Sequence, residues 1–119
     1  MNFKIVVPMY NVEKWVDRTV KSIKEQDYKN FQCVFIDDCS SDHTAEIVRN
    51  LIEGDDRFSL IVNSDRKLAL ENIYNGFEFL SCEDEDVLLT CDGDDWLDGT
   101  DVLDILKAAY ETHDCLLTY

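Results

Sequence analysis

One proline, Pro8, and four glycines leave this chain little material for long loops, which excludes collagen-like, low-complexity and linker-rich architectures. Basic residues are scarce too: 11 Lys and Arg face 26 Asp and Glu, for a formal net charge of −15. That balance disfavours nucleic acid and anionic membrane surfaces as partners, so an anionic ligand would need a metal or a local Arg or Lys. No apolar run approaches the ~20 residues of a membrane span. The opening Phe3-Lys4-Ile5-Val6-Val7 lacks the charged segment and apolar core of a signal peptide. The five cysteines, Cys33, Cys39, Cys82, Cys91 and Cys115, contain no C-x-x-C pair and cannot all close into disulfides, so a cytoplasmic protein with reduced thiols is expected. His43 and His113 have no partner at metal-ligand spacing and are expected at the surface.

What the chain does have is an unbroken alternation of strand-type and helix-type patterns. Phe3 to Val7, Phe31 to Ile36, Phe58 to Val62 and Val87 to Cys91 are short apolar runs that read as strands. Between them lie helical periodicities: Val12, Val16, Val20 and Ile23; then Ile47, Val48, Leu51 and Ile52 behind a cap at Ser41 or Asp42; then Ala69, Ile73, Phe77 and Leu80. Thr100 or Asp101 opens a fourth helix with Leu103, Leu106 and Ala109 on one face, and Cys115 to Tyr119 reads as the start of a fifth strand. Such alternation implies an α/β, Rossmann-like, mostly parallel sheet with helices on both faces. Residues 1–119 are expected to form one domain, and the apolar end without a polar tail suggests a second half beyond Tyr119.

In a parallel sheet of this kind the loops after the strands gather on one edge, where ligands bind. The four loops are Pro8-Met9-Tyr10-Asn11, Asp37-Asp38-Cys39-Ser40-Ser41-Asp42, Asn63-Ser64-Asp65-Arg66-Lys67 and Asp92-Gly93-Asp94-Asp95. Three carboxylates within four residues repel one another unless a cation sits among them. Mg²⁺ or Mn²⁺ takes one or two carboxylates and completes its shell with phosphate and water, a role open to Asp92 and Asp94. Tyr10 and Pro8 offer a flat wall for a base, Asp37 or Asp38 an acceptor for base or ribose, and Arg66 and Lys67 positive charge for a diphosphate. An EF-hand fails on register, because Trp96 and Leu97 stand where an oxygen ligand and a glycine are required.

The sequence resembles the nucleotide-binding half of a family 2 glycosyltransferase of the GT-A fold. The resemblance rests on Val7-Pro8-Met9-Tyr10-Asn11, on Asp37-Asp38-Cys39-Ser40-Ser41-Asp42-His43-Thr44 and on Asp92-Gly93-Asp94-Asp95, in that order after the first, second and fourth strands. It implies that Pro8, Tyr10 and Asp38 surround the nucleotide base with Asp37 nearby, and that Asn11, Arg66 and Lys67 also belong to the nucleotide-sugar site. Asp92 would face ribose or metal, and Asp94 would hold Mn²⁺ or Mg²⁺ against the diphosphate. The implied partner is a nucleotide-diphosphate sugar, UDP being the commoner nucleotide. The implied reaction is inverting transfer to a hydroxyl of a glycan, lipid or protein acceptor, with the catalytic base beyond this chain. The family pattern N-x-G-x-x-x-A-R-N is altered here, with Arg66 in place of the glycine and Glu71 in place of the arginine. A non-catalytic sugar-nucleotide-binding module is the alternative reading, and self-association into a homo-oligomer through an uncovered last strand is a further expectation. Trp96 is expected to anchor the acidic loop by packing, Trp15 to lie in the core or an interface, and Glu83 to Asp86 to form a solvated turn.

Overall fold

The computed structural model describes residues 1–113, so the fifth strand expected at Cys115 to Tyr119 lies outside the described residues. The elements run β1 (Phe3–Met9), α1 (Val16–Lys24), β2 (Phe31–Asp37), α2 (Thr44–Ile52), β3 (Phe58–Val62), α3 (Ala69–Leu80), β4 (Val87–Thr90) and α4 (Val102–Thr112). The strands form one parallel sheet in the order β3-β2-β1-β4. Parallel neighbours cannot be joined by a tight turn, and each connection here is a crossover containing a helix.

All seven residues of β1 are buried, as a central strand covered on both faces requires. Phe3, Ile5, Val7 and Met9 point into a core shared with Val16, Val20 and Ile23 of α1, Val48 of α2 and Leu103 of α4. Val6, Val34 and Ile36 point to the other face, where Leu80, Ile73 and Phe77 of α3 cover them. Each fully buried Val or Ile contributes about 1.5–3 kcal/mol of transfer free energy, so these two layers set the register of the sheet. On α3 the inward stripe is Asn72, Gly76 and Leu80, with Ile73 and Phe77 partly buried and Ala69 exposed. A Cβ at Gly76 would meet Val6 Cγ1 at 2.6 Å, and this lack of a side chain lets α3 lie close on β1.

Lys4 is buried on the α3 face, and its ammonium reaches the Gln32 carboxamide, the Leu80 carbonyl at 3.3 Å and Asp86 at 4.0 Å. The turn expected to be solvated is exposed at Glu83, Asp84 and Glu85 but also supplies a buried counter-charge, because Asp86 closes over a lysine that the sheet has desolvated. Trp15 is exposed rather than in the core: it stands at the N-cap of α1, just before Val16 begins the buried stripe of that helix. No helix of the described residues is long and apolar enough to cross a membrane.

From β1 the chain moves through β2 to β3 on one side, then returns to place β4 on the other side of β1. The strand order thus reverses between β1 and β4, and the crevice outside their C-terminal ends is where open α/β sheets bind ligands.

Candidate functional site

A cleft of about 270 Å³ opens at this switch point, lined by Pro8, Met9, Tyr10 and Val12 after β1, Asp38 after β2, Arg66, Ala69 and Asn72 around the start of α3, and Asp92, Gly93 and Asp94 after β4. Of the residues singled out in the sequence, Pro8, Tyr10, Asp38, Arg66, Asp92 and Asp94 line it together. Asn11, Asp37 and Lys67 are not among its lining residues.

The first two loops are bound into one unit. Asn11 takes φ +50° and donates its N–H to Ser40 Oγ at 2.9 Å, while its carboxamide oxygen accepts the Ser41 N–H at 2.9 Å. Its side chain is thus used to fix loop geometry. Thr44 Oγ1 accepts the Val12 N–H at 3.0 Å, and Asp42 accepts both the hydroxyl and the N–H of Thr44 together with the Glu13 N–H. Burial pushes the Asp42 pKa up, but these donors outweigh it and the net shift is downward. Asp42 thereby satisfies the start of α2 from one position before its cap, as its sequence position suggested.

Asp37 and Asp38 divide two tasks. Asp37 is buried beneath the loop, with Oδ2 accepting the Ser40 N–H at 3.1 Å and Oδ1 buried without a protein partner. Asp38, 3% exposed, collects four donors: Asn63 Nδ2 at 3.1 Å and Lys67 N at 2.8 Å on Oδ1, and Arg66 Nε at 3.0 Å and Leu68 N at 3.0 Å on Oδ2. Burial alone would raise its pKa. The Lys67 N–H, the Asn63 amide, the Arg66 guanidinium and the Leu68 N–H together overcome that and hold it well below the usual carboxylate range. The third loop is therefore folded around Asp38. It is held so firmly that Leu68 sits at φ +70°, ψ 167°, a region that glycine alone occupies without strain. Arg66 lays its guanidinium over the Tyr10 ring, 3.5 Å from the centroid, and Lys67 instead pairs with Asp65 at 3.7 Å.

The acidic loop is built from backbone bonds and buttressed by α1. Gly93 N donates to the Pro8 carbonyl at 3.0 Å, and a Cβ at Gly93 would stand 2.9 Å from Met9 Cγ and 3.0 Å from Val12 Cγ2. Glycine is required there by space, not by dihedral angle. Thr19, fully buried in α1, turns its hydroxyl to the carbonyls of Gly93 and Asp95, and Ser22 Oγ accepts the Leu97 N–H at 3.1 Å. Trp96 does not pack beneath the loop. It is 39% exposed and stacked under Arg18, whose guanidinium lies 3.8 Å from its ring centroid, because Thr19 and Gly93 already fill the space below.

Asp92, Asp94 and Asp95 present carboxylate oxygens that all lie within 4.8 Å of one another. Hard oxygens grouped in this way suit a divalent ion such as Mg²⁺ or Mn²⁺, which takes oxygen ligands and commonly one or two carboxylates. Burial first, then Asp95 and Asp94, push the Asp92 pKa up, a repulsion that a cation would relieve. Cys91, at the end of β4, is held as a thiol by burial and by Asp95, Asp92 and Asp94, its pKa pushed up to about 11, so it offers no nucleophile. Asn63, Asn72, Thr19 and Gly93 were not singled out from the sequence. Asn72 could have been, as a polar residue on the buried stripe of α3, where its Oδ1 accepts the Asn63 amide at 2.8 Å.

Residues 4–118 match the profile of glycosyl transferase family 2. The chain belongs to glycosyl transferase family 2. Within that family it is 34% identical over 93 residues to the GalNAc(5)-diNAcBac-PP-undecaprenol beta-1,3-glucosyltransferase of Campylobacter jejuni, covering 72% of this chain and 30% of that protein. It is 30% identical over 117 residues to the poly(ribitol-phosphate) beta-N-acetylglucosaminyltransferase TarS of Staphylococcus aureus, covering 75% of this chain and 20% of TarS. The crystal structure of an S. aureus TarS fragment in complex with UDP-GlcNAc superimposes with a TM-score of 0.79 at 26% identity, over 95% of this chain and 32% of that one. In fold alone it is also similar to the mannosyltransferase PcManGT of Pyrobaculum calidifontis in complex with GDP-Man and Mn²⁺, with a TM-score of 0.75 at 23% identity, over 86% of this chain and 30% of that one. The GT-A architecture expected from the sequence is thus the one observed. This family 2 chain spans about a third or less of the length of the relatives it matches.

Proposed function

We propose that this domain binds a nucleotide-diphosphate sugar, with a divalent cation at the acidic loop, for inverting transfer of the sugar to an acceptor hydroxyl. The observation that carries the reading is the convergence of an aromatic face (Tyr10), a buried anionic acceptor (Asp38) and a metal-compatible carboxylate pair (Asp92 and Asp94) in one cleft at the switch point. The nucleoside lies at the Pro8, Tyr10 and Asp38 end, and the diphosphate lies at the Asp92 and Asp94 end. TarS has been captured with UDP-GlcNAc, and a uridine diphosphate donor is the proposal for this chain. PcManGT, captured with Mn²⁺, makes Mn²⁺ or Mg²⁺ the proposed ion. When bound, the ion supplies Lewis-acid neutralisation of the departing diphosphate, a contribution of several kcal/mol in comparable sites.

The chain's own residues orient and hold. Asp94 and Asp92 supply the metal's carboxylates, Gly93 lets the acidic loop approach β1, and Thr19 fixes that loop from below. Asp38 shapes the base end by folding the third loop onto it. Among the described residues the cleft carboxylates are all assigned to the donor, and none is assigned as the base that deprotonates the acceptor. The free thiols Cys33, Cys39, Cys82 and Cys91 suit the reducing, cytoplasmic setting proposed for it.

Calorimetric titration with UDP-GlcNAc tests the proposal. Binding is expected in Mn²⁺, with at least ~10-fold loss in excess chelator and in Asp94→Asn, a factor that corresponds to about 1.4 kcal/mol. Equal affinity with and without metal, or an Asp94→Asn protein that binds like the parent, would refute it.

A further inference from the structure

The nucleobase end of the cleft is already filled, by the protein itself. The Arg66 guanidinium lies 3.5 Å from the centroid of the Tyr10 ring, the spacing of two stacked layers in contact, so no second planar group fits between them. The same side chain donates from Nε to Asp38 Oδ2 at 3.0 Å. Tyr10 and Asp38 are two of the three groups, with Pro8, that the donor-site reading above places at the nucleoside.

The carboxylate has no spare capacity while Arg66 is in place. Each Asp38 oxygen accepts two donors, which is about what its lone pairs allow. Three of the four donors cannot leave independently. Lys67 N and Leu68 N are backbone, and the Asn63 amide is also tied to Asn72 Oδ1 at 2.8 Å. Arg66 is different, because its side chain is 43% exposed and can swing into solvent without breaking any other bond of the loop. One rotation would uncover the Tyr10 face and free an acceptor position on Asp38 together.

We infer that Arg66 is a displaceable plug of the base subsite: its planar, hydrogen-bonding guanidinium occupies the place of a nucleobase, and a nucleotide enters only in competition with it. The inference rests on the donor-site reading and deepens it, since it makes Arg66 a residue that lowers affinity for the nucleoside part of the ligand. A half-exposed cation–π contact combined with a charge-assisted hydrogen bond to the buried Asp38 carboxylate keeps such a plug closed most of the time. Apparent affinity falls by the fraction of open conformers, which puts the expected effect at about 3- to 30-fold.

The test compares UDP with inorganic pyrophosphate on the 119-residue chain in saturating Mn²⁺, for the parent, Arg66→Ala and Arg66→Lys. Arg66→Ala is expected to tighten UDP about 3- to 30-fold and to leave pyrophosphate within about 2-fold, because pyrophosphate has no base to compete. Arg66→Lys, which keeps the charge but not the planar stack, is expected between the two. In the parent, the Arg66 Nε–H resonance, shifted by the Tyr10 ring, is expected to move to the position of a free arginine on addition of UDP and to stay in place with pyrophosphate. This readout needs no substitution and does not depend on the variants folding. Unchanged or weaker UDP binding in Arg66→Ala overturns the plug and leaves the donor site standing. So does an equal gain for pyrophosphate, or an Nε–H resonance that UDP does not move. Failure of parent and variants alike to bind either ligand overturns the donor-site reading, and the plug with it.

Discussion

Replacing Asp38 by Asn removes one charge and two acceptor positions from the residue around which the third loop is folded. The new carboxamide oxygen can keep Asn63 Nδ2 and Lys67 N, which share Oδ1 in the parent. Its NH₂ group then faces Leu68 N, so a donor that was bonded at 3.0 Å meets another donor. Hydrogen bonds to a charged acceptor contribute about 1.5–3 kcal/mol, and a buried donor left without a partner costs about 1–3 kcal/mol. Arg66 is half exposed and can turn to water, so it adds little to the sum. The expected loss is about 3 kcal/mol out of the ~5–15 kcal/mol available to a domain, or about 12 °C in Tm at roughly 4 °C per kcal/mol.

The assay is thermal and urea denaturation of Asp38→Asn beside the parent, with UDP binding measured in parallel. The sign of the pH dependence adds a second check. The folded-state pKa of Asp38 lies below its unfolded value of about 3.9, so its contribution is present above that pH and is lost as pH falls. The gap between parent and variant is therefore expected to be full at pH 7 and to narrow below about pH 4. A loss under about 1 kcal/mol at pH 7, or a gap that does not change on acidification, would refute the view that Asp38 organises the third loop.

Three further outcomes are expected. Leu68→Gly should stabilise the protein by about 1 kcal/mol in urea denaturation, since relief of about 1–3 kcal/mol of backbone strain exceeds the entropic cost of glycine and the exposed leucine has little burial to lose. In Asp38→Asn that gain should shrink, because the bond fixing Leu68 is weakened. Gly93→Ala should cost about 2 kcal/mol or more and weaken Mn²⁺-dependent UDP binding, as its methyl group has no room beside Met9 and Val12. Without metal, stability should fall as pH rises through the raised pKa of Asp92, and millimolar Mn²⁺ should reverse that fall in the parent but not in Asp94→Asn.

The first four strands, their parallel direction and the edge where the loops meet could be read from hydrophobic runs alternating with helical patterns, whereas the strand order could not. β3 falls where its pattern put it, whereas the formal start of α1 moves from Val12 to Val16, the residues between forming a turn on Val12 O. The site was legible by residue type: Pro8, Tyr10, Asp38, Asp92 and Asp94 share one cleft. Which of them are engaged by neighbours was not. That Asn11 ties to Ser41, that Asp38 is filled by four donors, and that Arg66 lies on Tyr10 all depend on distances between loops that are far apart in the chain. The same holds for Asp86, which looked like one acid in a solvated run until the sheet placed Lys4 beneath it.

The account's central claim is that the acidic loop holds a divalent ion together with the nucleotide. Electron paramagnetic resonance of Mn²⁺ tests it most directly, since the six-line signal of the free aqueous ion disappears on binding. With UDP held constant, titrating in the parent protein should remove the free-ion signal well beyond what UDP removes alone, and Asp94→Asn should leave it near the level of UDP without protein. A free-ion signal that the parent does not diminish, or that Asp94→Asn diminishes equally, would contradict a metal-bridged nucleotide at Asp92 and Asp94.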